Sequence, residues 1–398
     1  MRAVRKSMNH LPLALGAMTA QQTLATAGRS TVPLIAAAII ADIEVDAALV
    51  GVYLAIQSVA GFLTTMACGG FILRFGALRM TQVGMAALGI GLMAVASAWL
   101  PMLALGAFVG GLGQAISTPS SSHLLGRLAP PRLAPLVFSI KQTGVPVGLM
   151  VGGVVAPALV AAFDWRIALI AVAATCFLSV VVLQPLRARF DVDREPGRLL
   201  SPADIGANVK RVLGNPALRG LCLAMFAFVG LQTLFTGFFV LYLVRGLGYE
   251  LERAGLVFSI AVAVAVPGRI FWGWLASRVV KPATLLALLA IGMALSSALA
   301  AVIAPTWPTW AVALAATAMS MTAVSWHGVL LAEVARLAPA GRIATTTGAV
   351  LAFGDAGALT LPLLFSAALS LTGDYAPGFL IGGALTLAYG VLGLARRR

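Results

Sequence analysis

Charged residues are scarce in this sequence, and their scarcity excludes most soluble folds. Asp, Glu, Lys and Arg make up only 10% of the 398 residues, whereas hydrophobic residues make up 60%. A soluble domain has roughly 25% charged and 45–50% apolar residues. The mean hydropathy of +0.99 agrees with this contrast. The composition therefore indicates a protein that lies in a lipid bilayer.

Cysteine and the motifs of metal and nucleotide chemistry are also scarce. The three cysteines, Cys68, Cys176 and Cys222, lie in apolar segments without CxxC spacing, which predicts packing residues rather than a disulfide framework or a zinc site. The sequence contains no HExxH, GxSxG or GxxxxGKS/T motif, and its three histidines are far apart. We expect no cofactor, no metal, no catalytic residues and no enzymatic activity.

Long apolar runs are what the sequence has in abundance. A helix needs roughly 20 apolar residues to cross the bilayer core, and in lipid each span must satisfy its own backbone hydrogen bonds, which predicts helices. Twelve runs reach about that length, so we predict an all-α integral membrane fold. The predicted spans, numbered 1 to 12 from here on, cover residues 11–40, 47–68, 80–98, 102–124, 135–163, 166–186, 218–243, 253–276, 282–304, 309–337, 344–371 and 376–394.

The net charge of +14 is distributed in a way that favours a membrane topology over nucleic-acid binding. If twelve spans alternate, nearly all lysines and arginines fall on one side together with both termini, whereas the opposite side is mostly acidic. Cytoplasmic loops of membrane proteins carry such an excess of basic residues. The pattern predicts cytoplasmic N- and C-termini and no nucleic-acid partner.

Two similar basic turns indicate an internal duplication. The segments GGFILRFGALR at residues 69–79 and GWLASRVVK at residues 273–281 begin 204 residues apart, about half the chain. The pentapeptide QTLAT at residues 22–26 recurs as QTLFT at residues 232–236. A long polar interval between spans 6 and 7 is typical of a linker. We predict two six-helix halves and a cytoplasmic linker between them, with bounds 1–186, 187–217 and 218–398.

These features resemble the major facilitator superfamily along essentially the whole chain. The family's turn after span 2 contains a glycine, then an Asp followed by a basic residue, then a second glycine and further basic residues. The matching residues are Gly69, Arg74, Gly76 and Arg79 in the first copy and Gly273 and Arg278 in the second. The resemblance implies a bacterial inner-membrane transporter, near the organic-anion and cyanate-type branches, with two pseudo-symmetric six-helix halves that rock about a central site.

Both copies of this turn lack the family's aspartate. Leu73 and Ser277 occupy its two positions. The resemblance implies that this acid helps to lock the outward-open state through charge pairing and helix capping. Its absence predicts a weaker cytoplasmic latch, in which Arg74 and Arg278 serve chiefly as topology anchors.

Ionisable residues inside spans are candidate functional residues, because placing one there costs roughly 2.5–3.5 kcal/mol on insertion scales. Arg29 in span 1 is predicted to offer a planar fork to a substrate anion, with a structural pair to Asp355 as the alternative. The resemblance implies a substrate contact for Arg269 in span 8, and structural pairing is its alternative. Lys141 in span 5 is a further substrate-binding candidate, although snorkelling to the cytoplasmic surface fits its position slightly better.

Asp355, near the middle of span 11, has nothing in its own helix to neutralise it. It pairs with a basic residue of another span or carries a proton in a coupled transport cycle. His327 in span 10 is predicted to bind substrate or shuttle a proton, with a packing histidine as the alternative. Glu333 is predicted to pair with Arg336. The resemblance implies substrate contacts in spans 1 and 7, where interhelical hydrogen bonds are the alternative, for Gln21, Gln22, Thr26, Gln232, Thr233 and Thr236.

Secondary transport by alternating access is the function that the sequence favours. Fixed intramembrane cations outnumber anions, which predicts a small organic or inorganic anion as the solute, with proton coupling as a hypothesis and a monomer in the bilayer. A drug or metabolite efflux transporter working as a proton antiporter is the alternative, because an apolar cavity would suit it if lined by Phe235, Phe238, Phe239 and Trp326. A non-transporting membrane sensor is a weaker alternative, since the linker is short and polar.

Overall fold

The computed structural model describes residues 10–130, 134–197, 204–339 and 343–395, and these residues form α-helices with one short π-helix and no β-strand. The helices before the linker are α1 (Leu11–Leu34), α2 (Ala36–Ile43), α3 (Leu49–Phe75), α4 (Ala77–Ala96), α5 (Leu100–Ala115), α6 (Ser117–Leu128), α7 (Ala134–Gln142), α8 (Gly144–Ala162) and α9 (Trp165–Phe190). The linker helix is α10 (Asp204–Gly214). The later helices are α11 (Pro216–Leu241), the π-helix Tyr242–Gly246, α12 (Leu251–Ala263), α13 (Ala265–Arg278), α14 (Pro282–Ala301), α15 (Thr309–Ala323), α16 (His327–Leu337), α17 (Ile343–Thr372) and α18 (Ala376–Ala395).

The membrane spans confirm the predicted all-α membrane fold. Ten segments of the described residues are long and apolar enough to cross a bilayer, and the bent pair α1 and α2 raises the number to eleven. Helix α3, of 27 residues, occupies the position of predicted span 2. The structure is therefore compatible with twelve spans, and the bounds of the two halves and the linker stay a prediction.

Several spans are broken, and a proline lies close to three of the breaks. A proline has no N–H to donate to the carbonyl four residues earlier, so the helix ladder is interrupted there. Pro33 in span 1 is followed by a 44° bend. Pro146 in span 5 and Pro267 in span 8 each follow a break by three residues. The three break positions are Ile35, Thr143 and Val264.

The first basic turn is narrower than the sequence predicted. Helix α3 continues through Gly69 and Arg74 to Phe75, and the chain turns only at Gly76, which has a φ of +99°. The reason is that residues 69–75 are mostly apolar and can prolong the helix, whereas the left-handed backbone at residue 76 favours glycine. Helix α13 likewise runs to Arg278 before the chain turns. Gly69 and Gly273 therefore lie in helices rather than in turns.

The two halves pack tightly at one end of the bundle. We call the end with Gly76 and Arg278 the basic end and the other the opposite end. At the opposite end, a Cβ on Gly255 would lie 2.2 Å from the carbonyl oxygen of Gly153, and a Cβ on Gly51 would lie 1.9 Å from Ser366 Oγ. Only glycine allows helices to approach so closely. These contacts join α8 to α12 and α3 to α17, so the halves are closed at the opposite end.

The second half contains a large aromatic core. Phe235, Phe238, Phe239 and Trp326 are all fully buried. Phe238 stacks on Phe365 with ring centroids 4.2 Å apart. The three cysteines are unpaired and buried, as expected of packing residues. The linker helix α10 packs on α11 and α17, with Val212 buried in this core.

Candidate functional site

A cavity of about 280 Å³, lined by both polar and apolar side chains, lies between the two halves. Spans 1, 2, 4 and 5 line it from one half, and spans 7, 8, 10 and 11 line it from the other. It extends from Pro33 and Gly237, near the closed end, past the middle of the bundle to Leu331 and Leu351 on the side of the basic end. Its ionisable lining residues are Arg29, Arg269, His327 and Asp355.

Arg29 and Asp355 face this cavity from opposite halves without forming an ion pair. No salt bridge within 4 Å joins them or links either one to another charged side chain among the described residues. Both side chains are half-buried, and each contributes to the electrostatic field at the other. A close structural pair, which the sequence left open, is absent from this conformation.

Lys141 lies directly behind the cavity wall. Its side chain is 0% exposed, so the expectation of snorkelling to the surface is wrong for this structure. The Nζ group donates to Gln22 Oε1 at 2.8 Å and to Thr118 Oγ1 at 3.4 Å. Gln22 and Thr118 line the cavity, whereas Lys141 itself does not. The helix orientation points the lysine inward because α7 packs against α1 and α6. Lys141 therefore contacts two residues of the cavity lining but does not contact the cavity itself.

Arg269 is held by backbone carbonyl groups rather than by an acid. Its Nη1 donates to the carbonyl oxygen of Gln142 at 2.8 Å. Its Nε and Nη2 both donate to the carbonyl oxygen of Val324, at 3.2 Å and 3.0 Å. Gln142 belongs to span 5 and Val324 to span 10, so this guanidinium contacts both halves. The predicted structural pairing with a carboxylate is not found among the described residues.

His327 lies at the start of α16, where span 10 is broken. Its ring stacks on Trp326 with centroids 3.8 Å apart. Its Nδ1 is buried without a hydrogen-bond partner among the described protein atoms. The ring also lines the cavity. The ring therefore borders the cavity while its Nδ1 is buried, and a contact with substrate stays a prediction.

Five of the six uncharged polar residues predicted in spans 1 and 7 line the cavity. The exception is Gln21, whose Nε2 donates to Ser117 Oγ at 2.8 Å, as the alternative of an interhelical hydrogen bond predicted. Gln22 Nε2 donates to Thr26 Oγ1 at 3.2 Å, and Thr236 Oγ1 donates to the carbonyl oxygen of Gln232 at 3.0 Å. The Oε1 atom of Gln232 is buried without a partner in the described part of the chain. The five lining residues thus contribute a polar surface, and their contact with substrate stays a prediction.

Sequence reasoning missed several lining residues in spans 2, 4 and 5. Their spacing could have predicted them, because residues four apart lie on one face of a helix and can line the same cavity. Gln57 and Gly61 in span 2 follow this spacing, as do Gln114 and Thr118 in span 4. The signal was weak because these side chains are uncharged. The missed lining residues are Gln57, Ser58, Thr65, Gln114, Thr118 and Gln142.

The aromatic residues expected to form an apolar cavity do not line it. Phe235, Phe238, Phe239 and Trp326 pack instead against one another and their neighbours in the second half. The sequence placed them in the right spans, but it could not tell which helix face points to the core. The cavity is lined mainly by amide, hydroxyl, charged and small apolar side chains.

At the basic end, an acid from span 6 takes over the helix-capping part of the missing motif aspartate's role. Asp191 follows α9, and its carboxylate accepts hydrogen bonds from the backbone N–H groups of Leu78 at 2.8 Å and Arg79 at 3.0 Å. These are N-terminal N–H groups of α4, so the carboxylate caps that helix. A Cβ on Gly76 would lie 2.3 Å from Asp191 Cγ. Arg74 contacts the Phe75 ring, 5.3 Å from its centroid.

Asp193, two residues after Asp191, binds two side chains of span 4. His123 Nε2 lies 2.7 Å from Asp193 Oδ2, and Arg127 forms an ion pair with Asp193. Burial would raise the pKa of Asp193, but the hydrogen bond with His123 and the charge of Arg127 outweigh it and hold that pKa below its usual range. Burial raises the pKa of the Asp191 carboxyl, against the backbone hydrogen bonds that favour its charged form.

The comparisons with known proteins agree with this architecture. The family model described as Major Facilitator Superfamily matches residues 18–362. The chain belongs to this superfamily. As a member, it is a multi-pass membrane transporter of small molecules and not an enzyme. A sequence comparison with curated proteins found no match.

Solved structures of superfamily transporters share the fold. A POT family transporter in complex with 5-aminolevulinic acid has a TM-score of 0.78 at 12% identity, covering 96% of this chain and 95% of its own. The nucleoside transporter NupG, as a D323A mutant, has a TM-score of 0.77 at 15% identity, covering 97% and 99%. A bacterial homologue of the human lysosomal transporter Spinster, inward-facing and unoccupied, has a TM-score of 0.70 at 18% identity, covering 97% and 96%. At these identities the similarity concerns the fold alone.

Proposed function

We propose that this superfamily member moves a small hydrophilic anion by alternating access. The observation that carries the proposal is the pair of arginines, Arg29 and Arg269, which face one cavity from opposite halves. Neither has a carboxylate within 4 Å among the described residues. Guanidinium groups bind carboxylates and similar oxyanions through paired hydrogen bonds. A solute with such a group would add negative charge to a lining in which Asp355 stands against two arginines.

The cavity's size and lining support a small polar solute over a drug-like one. Its volume of about 280 Å³ is just below the range of roughly 300–1,000 Å³ for small-molecule sites. Apart from His327, no aromatic side chain lines it in the described part of the chain. Hydroxyl and amide groups of Thr26, Gln57 and Gln232 can hydrogen-bond a hydrophilic solute. A hydrophobic drug would leave these groups without partners, at a cost.

The distribution of charge supports an orientation in the membrane. We propose that the basic end faces the cytoplasm of a bacterial cell, because basic loops are retained on that side of the inner membrane. The halves are closed at the opposite end, so in this orientation the conformation is inward-facing. Arg74, Arg278 and the other basic residues of that end then act as topology anchors. We propose that the transporter works as a monomer.

Proton coupling through Asp355 is a second part of the proposal. This carboxyl lines the cavity opposite Arg29, where its charge would influence an anion bound there. Asp355→Asn should abolish uptake driven by a pH gradient and leave anion exchange intact. Glu333→Gln is a matched control, because Glu333 pairs with Arg336 in its own helix, as predicted, and lies outside the lining. Unchanged pH dependence in Asp355→Asn would contradict proton coupling at this residue.

A thermal-shift screen of purified protein tests the substrate class. The panel contains carboxylates, inorganic anions and cationic drugs. We expect an anion to stabilise the wild type and to lose its effect in Arg29→Ala and Arg269→Ala. Arg166→Ala is the control, because Arg166 pairs with Asp42 at the opposite end, with Nη2 and Oδ2 2.8 Å apart. Stabilisation by cationic drugs alone would overturn the anion proposal.

Vesicle transport separates uptake from efflux. Radioactive anion uptake into right-side-out vesicles is the expected activity. Dye efflux without anion uptake would instead support the drug or metabolite antiporter. The assay uses any anion that stabilises the protein in the thermal-shift screen.

A further inference from the structure

Arg269 contacts the opposite half through a carbonyl group that a proline leaves free. In a continuous helix, the carbonyl of Gln142 would accept from the N–H of residue 146. Residue 146 is proline, which has no N–H. The next hydrogen bond of the ladder, from Val147 N to the carbonyl oxygen of Thr143, is intact at 3.2 Å. Pro146 therefore releases one carbonyl at the break in span 5, and Arg269 Nη1 donates to it at 2.8 Å.

A second carbonyl is exposed by the break in span 10. Helix α15 ends at Ala323 and α16 begins at His327, so Val324 lies between them. Its carbonyl oxygen accepts from both Nε and Nη2 of Arg269. Three of the five N–H groups of the guanidinium thus donate to two carbonyl oxygens. Each half of the protein supplies one of these carbonyls. Two N–H groups remain for a solute in the cavity that Arg269 lines.

The position of the guanidinium therefore depends on how the halves are packed. Val324 belongs to the same half as Arg269, so that contact moves with it. Gln142 belongs to the other half, and the distance to it changes when the halves rock. In the present state, α8 and α12 are in close contact at the opposite end, with Ser259 Oγ donating to the carbonyl oxygen of Met150 at 2.9 Å. The Gln142 bond adds a link between the halves on the basic side of the middle of the membrane.

We propose that Arg269 couples the anion site to the rocking of the two halves. The bond to the Gln142 carbonyl stabilises the state closed at the opposite end and fixes the guanidinium in one anion-binding orientation. When the halves separate at that end, the bond is lost and the guanidinium is free to reorient. Arg269 is thus a positioning residue for the conformational change as well as a contact for the anion. The anion part of this inference rests on the proposed function, whereas the link between the halves does not.

Pro146→Ala tests the link without altering any cavity-lining side chain. The new N–H at residue 146 would bond to the Gln142 carbonyl within the helix and compete with Arg269 for it. Pro185→Ala is the control, because Pro185 lies within the continuous helix α9, on an exposed face of span 6. Arg269→Gln removes the guanidinium itself and serves as the second test variant.

The readout is the distance between spin labels at the opposite end. Cysteines are introduced at Ala161 in span 5 and Glu252 in span 8, both exposed, after the three buried native cysteines have been replaced by alanine. The distances are measured without any anion, by pulsed electron paramagnetic resonance in lipid nanodiscs. We expect Pro146→Ala and Arg269→Gln to raise the population with the longer distance several-fold. Pro185→Ala should resemble the parent protein.

Two results would overturn the inference. One is an unchanged distance distribution in Arg269→Gln. The other is a shift in Arg269→Gln with none in well-folded Pro146→Ala, because the Gln142 carbonyl would then play no part. Anion binding to the same proteins is measured separately by thermal shift. If the distances respond as expected while the parent binds no anion, the proposed substrate class fails and the link between the halves stands.

Discussion

The two halves of the transporter are stabilised differently at the basic end. In the first half, α4 begins after Gly76 and is capped by the Asp191 carboxylate. In the second half, α14 begins at Pro282 after Lys281, and no side chain caps it. The two turns that indicated a duplication in the sequence therefore differ in how the helix after each turn is stabilised. One is fixed by a carboxylate from another span, and the other by a proline at the helix start.

Spans 4 and 10 repeat the same difference. Arg127, at the end of span 4, pairs with Asp193 beyond span 6. Arg336, at the corresponding position of span 10, pairs with Glu333 one turn earlier in its own helix, at 2.7 Å. Among the described residues, polar contacts thus join spans 3, 4 and 6 of the first half. In the second half, linker helix α10 packs at this end against α11 and α17, with Val212 buried.

The comparison changes how the missing motif acids are interpreted. The sequence predicted a weaker latch in both turns, because Leu73 and Ser277 replace the family's aspartate. Asp191 supplies a cap for the first turn, although from a position more than a hundred residues later in the chain. A latch between the halves would need an acid that reaches the other half, whereas Asp191 binds within its own. The prediction of a weaker latch between the halves therefore stays open to test.

The largest effect should come from removing the cap in the first half. Asp191→Ala deletes two hydrogen bonds to backbone N–H groups, and helix caps contribute up to about 2 kcal/mol. We expect a lower midpoint of thermal unfolding for the detergent-solubilised protein. Asp191→Asn should lose less than Asp191→Ala, because its one amide oxygen can still accept from one of the two N–H groups that the two carboxylate oxygens bind. Equal losses in the two variants would contradict capping.

A smaller effect should come from the Asp193 contacts, and it should depend on pH. Asp193→Asn weakens the hydrogen bond with His123 and the pairing with Arg127, at a cost of about 1–2 kcal/mol. The pKa of Asp193 is lowered in the folded protein. Its contribution to the free energy of unfolding is therefore complete above its unfolded-state pKa of about 3.9. That contribution disappears as the pH falls through the pKa of the folded state. The difference in unfolding midpoint between wild type and variant should be present at about pH 5 and shrink below about pH 4. A difference at about pH 3 that is as large as the one at about pH 5 would rule out this electrostatic origin.

The smallest change should follow from restoring the motif acid. Leu73→Asp should slow transport or shift the balance between the two conformations, because the resemblance assigns that carboxylate to a lock between the halves. The effect on transport rate should be at most a few-fold, since Asp191 already caps α4. Leu73→Asn tests whether charge is required and should behave like the wild type. Initial rates of uptake and the spin-label distances at the opposite end measure the change, and no change in either would refute the weaker latch.

The candidate site was predictable where its residues carry charge. Arg29, Arg269 and Asp355 stood out because an ionisable group within an apolar run is costly in lipid, and all three line the cavity. Gln57 and Gln114 were missed because amides are tolerated in many helices for packing reasons. Lys141 was found, but its environment was not. Whether it snorkels or turns inward depends on α1 and α6, which the local sequence does not describe.

The sequence by itself determined the membrane fold, the family and the pairing of two basic turns, because hydropathy, span length and the turn motif are local properties of the chain. Only the tertiary structure decided which helix faces meet. It directed the aromatic residues of span 7 into the core and brought Asp191 to a helix start that lies far away in sequence. It also joined Arg269 to a carbonyl that Pro146 had left free. Such contacts depend on how separate helices pack, and helix packing is set by interactions across the whole bundle.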